Sequence, residues 1–288
     1  MSEATVLQPD TKIGAEMATA AATARSIFYT GLPGVGKSLF LQQQTQMAVR
    51  AGRRVHLLQW DIARAAFETE AILAKYPEVD GFTHPLIRKA AGLWARRAVR
   101  QWDESFVDPR HLLIGEVPII GNRFVELVQR HDDPVEPLLA GAGAIFFVPV
   151  PSAEIRAEIE GKRQASIANP KHANESRDAP INVLRQIWRD ASTAAAMLGL
   201  VPEARPAAGA SYDALTYERL FAHLLQHRNC RILHVDTLYP TVGSVYELSV
   251  PTIELTAPPA EISAIIMELE NSDNPDAISQ AVADWHRV

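Results

Sequence analysis

Short, continuously apolar runs alternate along the chain with longer stretches in which apolar residues recur every three or four positions. The runs Ser26–Thr30, Val55–Trp60, Leu112–Ile114, Ala144–Val148 and Arg231–Val235 predict strands covered on both faces. Between them, Lys37–Ala51 predicts a helix. Phe40, Leu41, Met47 and Ala48 share its apolar face, and Gly52 suits its C-cap. A helix-rich stretch then runs to Trp102, with Ile87, Ala91, Trp94 and Ala98 at helical spacing. Further helices are predicted over Asn122–Arg130, Ala153–Ala165, Ile181–Leu198 and Ala260–Glu270, the last with Ile262, Ile265, Ile266 and Leu269 on its apolar side. Ala15–Ala24 reads as an N-terminal helix or tail. Val245–Leu255, which contains Pro251, reads as an added edge strand or hairpin. Residues 167–180 are polar and carry two prolines, as a loop or mobile lid would. Strand–helix alternation predicts a mainly parallel, five-stranded core sheet in a three-layer α/β fold, with ligands beyond the carboxyl ends of the strands.

This pattern divides the chain into an N-terminal tail or helix over 1–24, a core over 25–257 and a C-terminal helical extension over 258–288. Within the core, 62–110 forms a helical insertion and 153–185 a lid region. The extension adds to the sheet or makes a homodimer contact; the sequence leaves both open.

Composition narrows the class. A chain of 288 residues, 47% hydrophobic and 22% charged, suits one large domain or a core with inserted segments. Net charge is −6, so nucleic acid would need a local patch rather than the whole surface. Cys230 is the only cysteine, which excludes an intrachain disulfide and a thiolate-rich metal site and fits a reducing compartment. Cys230 itself reads as a small buried hydrophobe. The start MSEATVLQPD lacks the basic and apolar regions of a secretory signal. No apolar run approaches the ~20 residues that span a bilayer. The expectation is a cytoplasmic protein without membrane contact.

The chemistry begins at residues 31–38, GLPGVGKS, which match G-x-x-x-x-G-K-[ST]. A strand precedes them and a helix follows, the context a phosphate-binding loop requires. Glycines let backbone N–H groups turn around phosphate oxygens, and the helix N-terminus adds partial positive charge. Gly31, Gly34, Val35, Gly36, Lys37, Ser38 and Leu39 are the expected nucleotide contacts. Lys37 would reach the β- and γ-phosphates, and the Ser38 hydroxyl would ligate Mg²⁺. A glycine turn with a solvated lysine is the plainer alternative.

With Pro33-Gly34 inside it, this loop resembles the G-x-P-G-x-G-K loop of adenylate kinase and its relatives. LLIGEVP at 112–118 resembles the third-strand segment of that group. There an acid is usually followed by Gly-Phe-Pro-Arg; here it is Glu116, with Gly115 before it and Arg123 further on. AIFFVPVPSAEIRAEIEGKR at 144–163 resembles the fourth strand and the helix that enters a lid, where arginines face phosphates. Arg177, Asp178 and Arg185 echo the basic residues beyond it. HVDTLYP at 234–240 resembles the last core strand and adenine-side loop. The similarity spans roughly residues 26–240, with the glycine loop as its specific part, and points to the superfamily of P-loop nucleoside, nucleotide and small-molecule kinases. It implies a P-loop NTPase fold, ATP and Mg²⁺ as cofactors, an acceptor-binding insertion after strand two and a lid.

Asp61, at the end of the second strand, stands where alcohol-phosphorylating members of that superfamily place a general base. A carboxylate there takes the hydroxyl proton and holds the oxygen in line. A helix N-cap is its plainer role. Glu116 would partner Ser38 on Mg²⁺, while Asp236 reads as a turn or cap residue. From Gly81 to Trp102 there is no acid but Arg88, Lys89, Arg96, Arg97 and Arg100, with His84. Such charges usually form a solvated face; placed in the insertion, they would grip an anionic acceptor. Asp61, Arg64, Arg88, Arg96 and Arg97 are therefore the expected acceptor contacts. Trp60, Trp94 and Trp102 read as core. Arg156 and Arg163, two helical turns apart, are expected to clamp the transferred phosphoryl group alongside Lys37. The resulting expectation is an ATP- and Mg²⁺-dependent kinase acting on a hydroxyl of a nucleoside-like or other small anionic acceptor. A hydroxymethylated base in DNA is the second reading, and a regulatory P-loop ATPase without an acceptor the third.

Overall fold

The computed structural model describes residues 6–79, 81–172, 175, 179–201, 211–240, 243–272 and 274–288. Arg177 and Asp178 lie outside the described residues. One sheet contains β1 (Ser26–Thr30), β2 (Arg54–Gln59), β3 (His111–Val117), β4 (Ala144–Pro151), β5 (Cys230–Val235) and β6 (Thr252–Glu254), in the order β5-β4-β1-β3-β2-β6. Every pairing is parallel. The sheet thus has six strands where five are expected. The segment after Pro251 is the added edge strand of the two forms expected: it runs parallel beside β2, with Thr252 opposite Val55, and is not a hairpin.

Helices cover both faces. They are α1 (Lys12–Thr23), α2 (Lys37–Arg50), α3 (Trp60–Phe67), α4 (Glu70–Lys75), α5 (Pro85–Ser105), α6 (Glu136–Ala140), α7 (Ala153–Ala168), α8 (Ile181–Met197), α9 (Ala214–Leu224), α10 (Pro259–Ser272) and α11 (Pro275–Ala283). The two-residue alternation of each strand sends neighbours into separate cores. On β1, Ile27 and Tyr29 join a core with α1 and α2, while Phe28 joins one with α3, α5 and α8–α11. On β4, Ile145 and Phe147 enter the first core, and Phe146 and Val148 the second. This double burial makes the layering three-deep and explains why the strands read as unbroken apolar runs. Gly115 on β3 has a packing cause: a Cβ there would lie 2.7 Å from the Phe28 ring.

Several elements depart from expectation. The predicted helix over Asn122–Arg130 is a single 3-10 turn, Val125–Leu127. In the loop before it, Ile119, Gly121, Asn122 and Phe124 take φ of 65°, 72°, 59° and 64°. Left-handed residues cannot propagate a right-handed helix, and non-glycine side chains held there cost about 1–3 kcal/mol each. Backbone bonds between Ile119 and Arg123 in both directions close this loop tightly. Helices α9 and α11 are also beyond the predicted set. Asp213 and Asn274 cap them by accepting from the N–H groups of Thr216 and Ala277. No helix among the described residues is long and apolar enough to cross a membrane.

Candidate functional site

The central strand β1 runs directly into the glycine loop. Gly31, Gly34 and Gly36 have φ of 139°, 76° and 93°, values that favour glycine. Gly36 is the N-cap of α2 in the left-handed region, so Lys37 and Ser38 occupy the first helical turn. The unpaired N–H groups of that turn make an anion-binding end. Parallel pairing of β1 with β3 places Glu116 opposite Tyr29, beside the loop. Lys37 Nζ donates to the Leu32 carbonyl at 2.9 Å and lies 3.4 Å from Glu116 Oε1. Burial lowers the Lys37 pKa and raises that of Glu116; each charge opposes the shift in the other.

A cleft of about 950 Å³ opens over this loop at the carboxyl ends of the strands. One end is walled by Thr237, Leu238 and Tyr239 beyond β5 and by Val245 and Tyr246. The other is walled by Trp60, Asp61 and Arg64 of α3, by Phe82, and by Pro118 and Arg123 beyond β3. Its charged lining comprises the cations Lys37, Arg64, Arg123, Lys162, Arg163 and Lys171 against the acids Asp61, Glu78, Glu116 and Glu175. A cleft with excess cation in a chain of net charge −6 concentrates anions locally.

Arg123 stands out among those cations. The strained turn after β3 presents it, and its guanidinium makes no hydrogen bond or ion pair with the described residues. Burial lowers its pKa, while Asp61 acts to raise it and Arg64 to lower it further. Arg64 donates to Glu68 at 2.8 Å and lies 3.6 Å from Asp61 Oδ1. Gln59 is the N-cap of α3, so Asp61 lies in the first turn instead of capping it. The Asp61 side chain is 76% exposed. Arg163 lines the cleft close enough to bias Lys37, and donates to the Ala179 carbonyl at 3.2 Å.

Other expected contacts are placed elsewhere. Arg156 is buried outside the cleft wall and donates to the Pro33 carbonyl at 2.7 Å, so it touches the loop itself. Arg88 supports the strained turn from behind, donating to the Gly121 carbonyl at 2.7 Å. Burial and nearby Arg123 lower its pKa to about 10. Arg96 is buried against Asp133 and Glu136, at 2.6 and 2.8 Å. Arg97 pairs with Glu268 of α10 at 2.7 Å, and Arg100 with Glu104 at 2.7 Å. Lys89 lies 3.0 Å from fully buried Glu126, whose carboxylate occupies space a Cβ on Gly92 would fill. The structure therefore does not bring Arg96 and Arg97 to the cleft, because acids distant in sequence neutralise them on α5. Trp94 and Trp102 are core, as expected; Trp60 is also buried but reaches the cleft. Cys230 is half-buried.

Sequence reasoning did not find Gln42. It lies one turn beyond Ser38 on α2, and its amide donates to the carbonyls of Ser244 and Glu247 at 3.2 and 2.7 Å. It thereby ties the wall that carries Tyr246 to the glycine-loop helix. The available signal was glutamine at helix positions that turn inward: Gln42, Gln43 and Gln44 are all buried. Among the described residues no group of three or more His, Cys, Asp or Glu could hold a metal ion. Ser38 and Glu116, which line the same cleft, are hard oxygen donors of the kind Mg²⁺ takes. No family model, no curated protein and no solved structure matches the chain.

Proposed function

We propose that this protein is an ATP- and Mg²⁺-dependent P-loop kinase that transfers the γ-phosphoryl group to a hydroxyl of a small anionic acceptor. One observation carries the reading: a single cleft over the glycine loop combines two different chemistries. At the glycine loop, left-handed glycines and the start of α2 suit a polyphosphate, with Lys37 and Arg163 beside it. On its α3 side, the Asp61 carboxylate and the Arg123 guanidinium suit a hydroxyl and an anionic group on one small molecule. The parallel three-layer sheet is compatible with a P-loop NTPase fold.

In this reading the loop amides and Lys37 hold the β- and γ-phosphates, and Lys37 offsets charge that grows during transfer. Asp61 accepts the acceptor's hydroxyl proton, while Arg123 and Arg64 fix its anionic group. Trp60 and Phe82 exclude water from that side. Ser38 and Glu116 would hold Mg²⁺, which would supply neutralisation of phosphate charge.

The pairing of the α5 cations favours a small acceptor over DNA, because Lys89, Arg96, Arg97 and Arg100 all have acids beside them. A regulatory ATPase would have no use for the acidic and cationic α3 side. The test is transfer of label from γ-labelled ATP across nucleosides, nucleotides, sugars, other hydroxy acids and hydroxymethylated DNA. Labelled product from a small anionic alcohol is the expected result. Label released only as inorganic phosphate would move the reading to an ATPase, and label in DNA alone to the DNA kinase.

A further inference from the structure

Arg156 sits in the first turn of α7, where Ser152 caps the helix by accepting from the Ile155 N–H. Its guanidinium contacts the glycine loop and does not line the cleft, although its charge reaches Lys37. Nη1 donates to the Pro33 carbonyl at 2.7 Å, and Nε donates to Glu160, one turn along α7, at 2.6 Å. The group lies 5.5 Å from the centre of the Tyr212 ring and is 3% exposed. A Cβ on Gly34 would stand 3.5 Å from Nη1, so loop and guanidinium are in contact. Beside it, fully buried Tyr217 of α9 closes on Gly31, where a Cβ would fall 2.2 Å from the hydroxyl oxygen. Two helices thus contact the loop, and only glycine at position 31 admits the approach of Tyr217.

The grip has a directional consequence. A trans peptide is planar, with its C=O and N–H pointing opposite ways. Holding the Pro33 carbonyl towards Arg156 turns the N–H of the same peptide, that of Gly34, away from it. Gly34 lines the cleft. We propose that Arg156 is a positioning residue that fixes the Pro33–Gly34 peptide so that the Gly34 N–H faces a bound phosphate, and that it touches no phosphate itself. The proposal rests on the polyphosphate reading of the loop.

The experiment compares wild type, Arg156→Gln, Arg156→Lys and Glu160→Gln. Affinities for ATP, ADP and inorganic tripolyphosphate are measured by displacement of a fluorescent nucleotide. Amide exchange is followed in the ligand-free proteins across residues 31–36 and the core strands. Arg156→Gln should weaken all three ligands by one common factor of about tenfold, the size of a lost charge-assisted hydrogen bond. Exchange should quicken in residues 31–36 and stay unchanged in the strands. Arg156→Lys should recover most of the affinity, because an ammonium still reaches a carbonyl. Glu160→Gln, at a site 23% exposed, should give the same pattern more weakly and stands in if Arg156→Gln fails to fold. Loss of ATP affinity with ADP spared would mean a direct γ-phosphate contact and overturn the proposal. Unchanged affinities, or quickened exchange spread through the strands, would overturn it too. If wild type binds none of the three ligands, the polyphosphate reading fails. The exchange data then decide the grip alone: unchanged loop exchange in Arg156→Gln rejects it.

Discussion

Two sets of cations flank the same sheet and meet different fates. On α5, Lys89, Arg96, Arg97 and Arg100 each have a carboxylate within 3.0 Å. In the cleft, Arg64 is likewise paired, with Glu68 at 2.8 Å, but Arg123 has no such partner among the described residues and Lys37 has Glu116 only at 3.4 Å. The α5 set binds the molecule to itself: Arg96 joins α5 to the segment after β3, and Arg97 joins it to α10. In the cleft, Arg123 keeps unspent hydrogen-bonding capacity among the described residues, and a protein retains that at a desolvation cost. The position of a cation in the sequence says little about which fate it meets; what decides is whether an acid arrives from elsewhere in the fold.

Breaking the cleft set should cost function and breaking the α5 set should cost stability. Lys37→Ala has the largest expected effect, a loss of turnover of about a thousandfold with the melting temperature held, read by initial rates and thermal unfolding. Arg96→Gln follows on the other side. Removing one partner from a buried ionic cluster costs about 3 kcal/mol of stability in denaturant unfolding, while ATP and acceptor affinities stay as in wild type. Arg123→Gln should raise the acceptor KM about tenfold, with ATP affinity unchanged and no fall in melting temperature, since no described carboxylate forms an ion pair with it and its burial opposes the charge. Arg97→Gln should do least. Its pair with Glu268 is 44% and 49% exposed, so less than about 1 kcal/mol is at stake. A raised acceptor KM in Arg97→Gln, or destabilisation in Arg123→Gln, would dissolve the contrast.

The parts of this arrangement legible in the sequence are local ones. The glycine loop, the strand before it and the helix after it are determined within one stretch, Ser26 to Arg50, and the structure places them as predicted. The layers were legible because β1 to β4 are covered on both faces. The partners of α5 were not, because they lie far along the chain: Glu268 is 171 residues from Arg97. The turn carrying Arg123 was hidden for another reason. Its apolar spacing from Phe124 to Val128 reads as helix, and the left-handed φ of Asn122 and Phe124 is imposed by packing, with both residues buried. Arg156 and Arg163 share a helical spacing that says nothing of what each meets, and the fold sends one to the loop and the other to the cleft.

The acceptor end of the cleft carries the central claim, that a hydroxyl is phosphorylated there, and Asp61 is its sharpest point. Asp61→Asn keeps the size and position of the side chain in the first turn of α3 but removes the proton acceptor. The direct measurement is single-turnover transfer of label from ATP to the acceptor, in wild type and Asp61→Asn, with ATP affinity measured on the same proteins. The account predicts a rate lower by about a hundredfold at unchanged ATP affinity. An unchanged rate of transfer would contradict it, leaving Asp61 as a charged residue at a helix start and making a phosphate, which needs no base, the group that is phosphorylated.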